Sequence, residues 1–98
     1  MDKALIFTEE ALQHFESMFQ YLEENFSQSA AGNFVQNVYA AVNKIVRYPE
    51  IYPVSKSDPA VRFYRMDKHR RIYYEETASE IRVLAIFDTR QNPDKSPY

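Results

Sequence analysis

Residues 81–87, IRVLAIF, give the clearest structural signal in this 98-residue chain. Arg82 is the only charged side chain in the run, and the others are aliphatic or aromatic. A short apolar run of this kind is typical of a strand that is buried on both faces and lies in the middle of a sheet. We therefore expect helices to cover at least one face of that sheet.

Two further strands are predicted before this one, at residues 61–66 and 70–75. Both segments are rich in β-branched and aromatic residues, and short polar breaks at residues 67–68 and 76–80 separate the three strands. Tight connections between consecutive strands favour antiparallel pairing. The C-terminal half therefore predicts a three-stranded antiparallel meander.

The chain before this meander begins with a predicted strand that leads into a helix. Ala4–Phe7 form a short apolar run, and Thr8 then supplies an N-cap hydroxyl. Glu9 and Glu10 follow, where the helix dipole favours negative charge. The first helix repeats large apolar residues every three or four positions, and we expect all of them to lie in the core: Leu12, Phe15, Phe19, Leu22 and Phe26.

A second helix is predicted after residues 27–29, where serine side chains can cap it. Its apolar side chains also fall on one face: Phe34, Val38, Val42 and Ile45. Pro49 ends this helix, because the residue before a proline is pushed out of the helical region. The predicted fold class is α+β, with a strand, a two-helix hairpin and a three-stranded antiparallel meander that forms one sheet packed on the helices.

Length and composition favour a single-domain protein without a metal, a cofactor or a membrane span. Residues 1–98 suit one domain, with a loosely ordered tail from about residue 91 to residue 98. The chain has no cysteine, and His14 stands alone on the first helix as a surface residue, so we expect no metal and no cofactor. No apolar run approaches the roughly 20 residues that cross a bilayer, and the stretch MDKALIFTEE at residues 1–10 lacks the basic-then-apolar pattern of a signal peptide. A cytoplasmic protein without membrane contact is expected.

Charge is segregated along the chain although the net charge is only -2. Residues 1–26 hold six acidic side chains and one lysine, whereas residues 62–71 hold five Lys or Arg and one aspartate. The basic segment has two interpretations. It presents a local positive patch to a partner, or its charges keep an edge hairpin from pairing with other chains.

Three local patterns, in this order, resemble the RelE/ParE superfamily of toxins from bacterial type II toxin-antitoxin systems. They are the helix exit IVRYPEIYP at residues 45–53, the strand HRRIYYE at residues 69–75, and the closing IRVLAIFDTRQNP at residues 81–93. The resemblance extends from Phe7 to about Pro93. It implies one of two activities: RelE-like members enter the ribosomal A site and cut messenger RNA, while ParE-like members poison DNA gyrase.

The resemblance also implies roles for particular residues. Arg70 and Arg90 match positions where the ribosome-dependent nucleases carry phosphate-binding arginines, and the predicted strands bring both to one rim of the sheet. The alternative is that Arg70 pairs with a carboxylate such as Asp88 and only orders the strand ends.

The other nuclease residues are incomplete in this sequence. The paired lysines of RelE-like members are replaced by Val61 and Phe63, and a register shift of one offers only Arg62 and Tyr64. The C-terminal tyrosine of those nucleases falls on Ser96, although Tyr98 lies two residues further on. His69 is a candidate acid or base, or else an ordinary turn residue.

The sequence therefore favours a ParE-like toxin that inhibits gyrase by protein contact, without catalysis. The contact would use the basic hairpin and the end of the last strand, with these target-binding candidates: Arg62, Arg65, Lys68, Arg70, Arg71 and Arg90. The alternative is a metal-independent messenger-RNA endonuclease with Arg70, Arg90, His69 and Tyr98 as catalytic residues. A second alternative is a non-toxic binding module of the same fold.

The resemblance further implies a protein partner. Toxins of this superfamily are silenced by a cognate antitoxin, which is expected to dock on apolar helix grooves or on an open sheet edge. The target would be DNA gyrase or, for the alternative activity, the ribosome and messenger RNA. The fold accommodates a homodimer as well as a toxin-antitoxin hetero-oligomer.

Overall fold

The structure is a computed structural model and describes residues 3–90 and Tyr98. Its elements follow the predicted order: β1 Ala4–Phe7, α1 Glu9–Asn25, α2 Gln28–Arg47, β2 Val61–Arg65, β3 Arg70–Glu76 and β4 Glu80–Asp88. The four strands form one sheet in the order β1-β4-β3-β2. Strand β1 is parallel to β4, while β2, β3 and β4 pair antiparallel. The α+β prediction and the central place of β4 are confirmed.

Both helices begin and end where the local sequence predicts. Thr8 Oγ1 accepts a hydrogen bond from Ala11 N at 3.1 Å, and Ser27 Oγ accepts one from Ala30 N at 3.0 Å. These bonds satisfy amides that have no partner within a helix. Tyr48 closes α2 immediately before Pro49, as expected from the restriction that a proline imposes.

The core lies mainly between the two helices and one face of the sheet. The apolar face predicted for α2 is buried at Phe34, Val38, Val42 and Ile45. The prediction that every large apolar residue of α1 is core is wrong, because Leu12 and Phe26 are exposed. The buried residues of α1 are Ala11, Met18 and Leu22. Small Ala11 lets α1 approach the sheet closely, and the helix carries more apolar surface than the sheet and α2 can cover.

A β-bulge on β4 decides which side chains face the helices. Tyr73 pairs with Ala85 while Tyr74 pairs with Val83, so Leu84 is the extra residue. After this bulge the side-chain alternation shifts by one position. Ile86 packs against the helices, whereas Ala85 packs on the opposite face of the sheet, here called the far face. Without the bulge, Asp88 at the end of β4 would point to the far face.

Beyond the end of β1, residues at the start of α1 form hydrogen bonds with the backbone of β4 that β1 does not reach. Thr8 N donates to Val83 O at 3.0 Å and Thr8 Oγ1 to Leu84 O at 3.3 Å. The next amide, Ile86 N, donates to His14 Nδ1 at 3.2 Å. The expectation that His14 merely fills the surface is therefore wrong: its ring replaces the missing strand as an acceptor.

The far face carries a smaller apolar cluster. Val61, Tyr73 and Ala85 are buried there, and Phe63, Leu84, Phe87 and Tyr98 pack around them. The ring of Tyr98 lies 5.4 Å from that of Tyr73, centroid to centroid. The predicted loose tail at residues 91–98 falls outside the described residues except for Tyr98.

Candidate functional site: an arginine-carboxylate cluster at the rim of the sheet

Arg70, Asp88 and Arg90 meet at one rim of the sheet. Arg70 is the first residue of β3, Asp88 is the last residue of β4, and the two are register partners across the ladder. Thr89 N donates to His69 O at 2.8 Å, which fixes the chain just past the strand end. The predicted approach of Arg70 and Arg90 at one rim is thus present, with Asp88 between them.

Asp88 holds Arg90 in a fixed geometry. Its Oδ1 accepts from Arg90 N at 2.9 Å and from Arg90 Nε at 3.1 Å, and its Oδ2 accepts from Arg90 Nη2 at 2.8 Å. The Asp88 side chain is only 5% exposed, whereas that of Arg90 is 53% exposed. Burial alone would raise the pKa of Asp88, but the hydrogen bonds from Arg90 outweigh it and lower the pKa below its usual value. The same pairing raises the pKa of Arg90.

The side chain of Arg70 also lies close to the Asp88 carboxylate. Its Nε lies 3.5 Å from Asp88 Oδ2, and its Nη1 lies 3.2 Å from Oδ2 of Asp67 in the β2–β3 turn. The guanidinium carbon also sits 5.5 Å from the centre of the Phe34 ring. Nε is buried and forms no hydrogen bond among the described residues. This arrangement is the ion pair that the alternative interpretation of Arg70 predicts, with Asp88 as its carboxylate.

The cluster forms the floor of a cleft with apolar walls. The cleft has a volume of about 410 Å³ and opens at the end of the helical hairpin where α1 passes into α2. Its walls are the side chains of Met18, Tyr21, Leu22, Phe26 and Ala30. The Tyr21 and Phe26 rings meet edge to face, with centroids 6.1 Å apart. Sequence analysis missed this cleft because it assigned Phe26 to the core.

The other predicted site residues lie elsewhere. Arg62 donates from Nη1 to Tyr52 O at 2.7 Å, so it anchors the loop before β2. Arg65 and Arg71 face each other across the β2–β3 ladder, and the Arg71 guanidinium lies 4.9 Å from the centre of the Phe63 ring. Lys68 is exposed in the turn. His69 donates its amide to Asp67 Oδ1 at 2.9 Å, as turn residues do.

The residues proposed for the nuclease alternative do not form one constellation. Arg70 and Arg90 border the cleft on the helix side of the sheet, whereas Tyr98 packs on the far face. Val61 and Phe63, at the positions of the lysine pair, also belong to the far-face cluster. Burial raises the pKa of the Tyr98 phenol, which makes the phenolate less accessible near neutral pH.

A second, apolar depression runs along the other side of α1. This groove has a volume of about 570 Å³ and is lined by parts of β1, α1 and α2: Leu5, Phe7, Leu12, Phe15, Glu16, Phe19, Gln20, Val35, Val38, Tyr39, Val42 and Asn43. It adjoins β1, which is an edge strand of the sheet. The opposite edge, β2, is partly covered, since Ser55 N donates to Val61 O at 2.7 Å and Phe63 N to Pro53 O at 3.0 Å.

The described residues offer neither a metal site nor a membrane-spanning helix. Within residues 3–90 and Tyr98, no three His, Asp or Glu side chains are grouped so as to hold a metal ion. Over the same residues, no helix is both long enough and apolar enough to span a membrane.

Comparison with known proteins identifies the family. The family model described as the ParE toxin of type II toxin-antitoxin systems, parDE, matches residues 5–93. Sequence comparison with curated proteins finds no significant match.

Known structures share the fold at low sequence identity. The chromosomal ParDE system from P. aeruginosa is 15% identical with a TM-score of 0.69, over 88% of this chain and 95% of that one. The YoeB dimer from Staphylococcus aureus is 13% identical with a TM-score of 0.61, over 89% and 97%. The E. coli DinJ-YafQ toxin-antitoxin complex is 6% identical with a TM-score of 0.65, over 94% and 98%. Because the family model covers most of the sequence, the chain belongs to the ParE toxin family of type II toxin-antitoxin systems.

Proposed function

We propose that the chain arrests bacterial growth by inhibiting DNA gyrase through protein contact, and that it does so without catalysis. The observation that carries this proposal is the position of Asp88 between Arg70 and Arg90. Both guanidinium groups already face a buried carboxylate, so much of their charge is neutralised within the fold. The pair therefore offers less positive charge to the transition state of RNA cleavage than two unpaired arginines would, although a single anion can still reach Arg90. Membership of the ParE family supports the same choice of target.

The requirements of RNA cleavage support the non-catalytic mechanism. A metal-free ribonuclease needs cations at the phosphate together with a base and an acid within hydrogen-bond reach of the reacting atoms. Here the candidate arginines and the candidate tyrosine are on opposite faces of the sheet. Apolar Val61 and Phe63 stand where the nucleases carry lysines. Arg70, Arg90 and Tyr98 therefore do not share one surface on which they could act together on a phosphate.

Several of the predicted cations are well placed for contact with an acidic protein surface. Arg65, Lys68 and Arg71 form no ion pair among the described residues, and Arg65 and Arg71 are adjacent across two strands. Like charges directly opposite each other destabilise a sheet. A partner whose carboxylates bind Arg65 and Arg71 would relieve this repulsion, which favours binding. Arg90 adds a half-exposed guanidinium at the rim. Arg62 is the weakest candidate, because its charge is used to hold the Tyr52 carbonyl.

The same proposal includes a cognate antitoxin bound on the groove side of α1. The groove is apolar and carries the exposed side chains of Leu12 and Tyr39, and the β1 edge beside it exposes Leu5 and Ile6. A segment with an amphipathic helix would bury the groove, and an extended segment would pair with β1. Such binding removes apolar surface from water and silences the toxin until the antitoxin is lost.

Induction of the chain in a bacterial host without antitoxin tests the proposal. One culture should supply three readouts: a DNA-damage reporter, nucleoid morphology and mapped messenger-RNA ends. Gyrase inhibition predicts reporter induction and filamentation with intact messages.

Two other results would replace the proposal. New cuts within translated codons would assign the ribosome-dependent nuclease activity. Normal growth with the full-length protein present would leave the non-toxic binding module.

A further inference from the structure

The cleft floored by Arg70, Asp88 and Arg90, here called the Arg90 cleft, has features of a binding site that the proposed function does not yet use. We propose that the Arg90 cleft receives an acidic side chain flanked by an apolar one, presented by a segment of gyrase. The proposal rests on the proposed function and specifies which surface of the toxin makes the contact.

The cleft has a positive charge to offer. Two guanidinium groups and one carboxylate line it, and Arg70 is compensated by Asp88 and Asp67, so the available positive group is the half-exposed Arg90. Asp67 contacts Arg70 from the exposed turn, outside the cleft lining. Arg90 uses Nε and Nη2 to hold Asp88, and its Nη1 has no hydrogen bond among the described residues. A carboxylate arriving from solvent can therefore be bound without breaking the existing pair.

The Arg90 guanidinium is fixed before any partner arrives. Three hydrogen bonds of 2.8–3.1 Å hold its backbone and side chain on the buried Asp88. A long side chain normally loses rotamer entropy when it is immobilised at an interface, and here that loss has occurred on folding. An arginine held in this way is a typical hot spot of protein interfaces.

The walls of the cleft expose aromatic surface that folding leaves uncovered. Phe26 is 67% exposed although it is a large apolar residue, and Tyr21 packs edge to face against it. Met18 and Leu22 continue the apolar wall inwards. The pairing of an exposed aromatic wall with a fixed arginine matches an acidic side chain that has an apolar neighbour.

A single carboxylate fits this cleft better than a nucleic-acid backbone does. A phosphodiester chain needs a track of several cations, but only Arg70 and Arg90 among the described residues supply positive charge to the lining. Glu23 and Glu24 are exposed on the adjoining turn of α1 and would repel a polyanion. Most of the wall is apolar, which a phosphate does not require.

The cleft is separate from the apolar groove. Met18, Tyr21 and Leu22 border the cleft, whereas Leu12, Glu16 and Phe19 border the groove. At 3.6 residues per turn, the two sets point roughly 130° apart around α1. Target binding at the cleft is therefore distinct from antitoxin binding at the groove.

Affinity for purified gyrase, measured by biolayer interferometry with the full chain, tests the proposal. Arg90→Ala and Phe26→Ala are expected to weaken binding about tenfold or more, because each removes a central contact. Arg90→Lys keeps the charge but not the two-point pairing with Asp88 and should recover part of the loss. Phe26→Ala keeps the test independent of folding, since the ring is mostly exposed.

Matched controls remove charge and apolar area outside the cleft. Arg47→Ala removes an exposed arginine in the last turn of α2. Ile51→Ala shortens an apolar residue that is 68% exposed, and Phe26 is exposed to almost the same fraction. Both should bind gyrase as the wild type does.

Each outcome decides the proposal. Weaker binding by the cleft variants alone supports it. If the wild type binds gyrase and the cleft variants bind it with the same affinity, the cleft is not the contact surface, but the proposed function stands. If the wild-type chain does not bind gyrase, both proposals are overturned. Loss of RNA binding in Arg90→Ala with gyrase affinity unchanged would make the cleft a nucleic-acid site instead.

Discussion

His14 on helix α1 accepts a hydrogen bond through Nδ1 from the backbone amide of Ile86, at 3.2 Å, across 72 residues of sequence. The bond joins the first helix to the central strand where β1 has ended. It also fixes the tautomer of the ring, because Nδ1 must be unprotonated to accept. The second nitrogen, Nε2, lies 3.8 Å from Glu10 Oε1, one helical turn earlier.

Replacement of His14 by leucine should destabilise the fold. The Ile86 amide would lose its acceptor in a partly buried position, which costs about 1–3 kcal/mol. Urea unfolding measures this loss. Glu10→Gln is the control: it removes the 3.8 Å contact and one favourable charge in the first turn of α1 but leaves the Ile86 hydrogen bond, so it should change stability by less than about 1 kcal/mol. Equal stability of the leucine variant and the wild type would show that water or another group serves the amide.

Asp88 should make the stability of the chain depend on acidic pH. Its pKa in the folded state is lowered, against about 3.9 for an aspartate in an unfolded chain. The ionised form is therefore favoured by folding, and its contribution is complete above the unfolded pKa and is lost as the pH falls through the lower, folded pKa. Wild-type stability should decline below about pH 4.

Asp88→Asn provides the comparison for this pH dependence. At pH 7 the variant should be about 3 kcal/mol less stable, because two arginines lose their buried carboxylate. The difference should shrink as the pH falls through the lowered pKa of Asp88, because the native carboxylate is then protonated as well. Asp58→Asn, in an exposed turn, is the control for a general effect of aspartate removal. A difference that is independent of pH would contradict the account.

The sequence predicts features that depend on neighbouring residues better than features that depend on the whole fold. The Thr8 cap, the end of α2 before Pro49 and the three strands of the meander are all local, and each is present. The pairing of Arg70 with Asp88 follows from strand register once the meander is recognised.

Other features were not predictable from local patterns. The bulge at Leu84 lies within a continuous apolar run, so no alternation in the sequence marks it. The role of His14 depends on where β1 stops relative to β4, and the exposure of Phe26 depends on how α1 rolls on the sheet. An apolar residue at helical spacing does not reveal which side of a wide apolar face becomes buried.

Tyr74 should anchor the loop between α2 and β2. Its hydroxyl donates to Pro49 O at 2.7 Å, and burial raises the pKa of the phenol, so the donor stays protonated. Tyr74→Phe should cost about 1 kcal/mol and speed amide exchange in residues 50–60. Tyr64→Phe is the control, since its hydroxyl has no hydrogen bond among the described residues. Unchanged exchange in the Tyr74 variant would show that the other contacts of the loop, from Arg62 to Tyr52 O and between its backbone and β2, are sufficient to hold it.

Tyr39 should matter for binding of the antitoxin. It lines the apolar groove and is 66% exposed in the isolated chain. Tyr39→Ala should weaken antitoxin binding about tenfold or more, as removal of a central aromatic contact does. Titration calorimetry with the partner measures this, and Ile51→Ala is again the matched control. If both variants bind equally well, the antitoxin uses another surface.

DNA cleavage by purified gyrase in the presence of the purified chain tests the proposed inhibition of gyrase. Supercoiled plasmid, ATP and gyrase are incubated with increasing amounts of the protein, and trapped complexes are opened with detergent and protease. Inhibition of gyrase by the chain predicts linear DNA that rises with the amount of the chain and requires gyrase. Normal supercoiling with no cleaved plasmid, at concentrations that arrest growth, would contradict it.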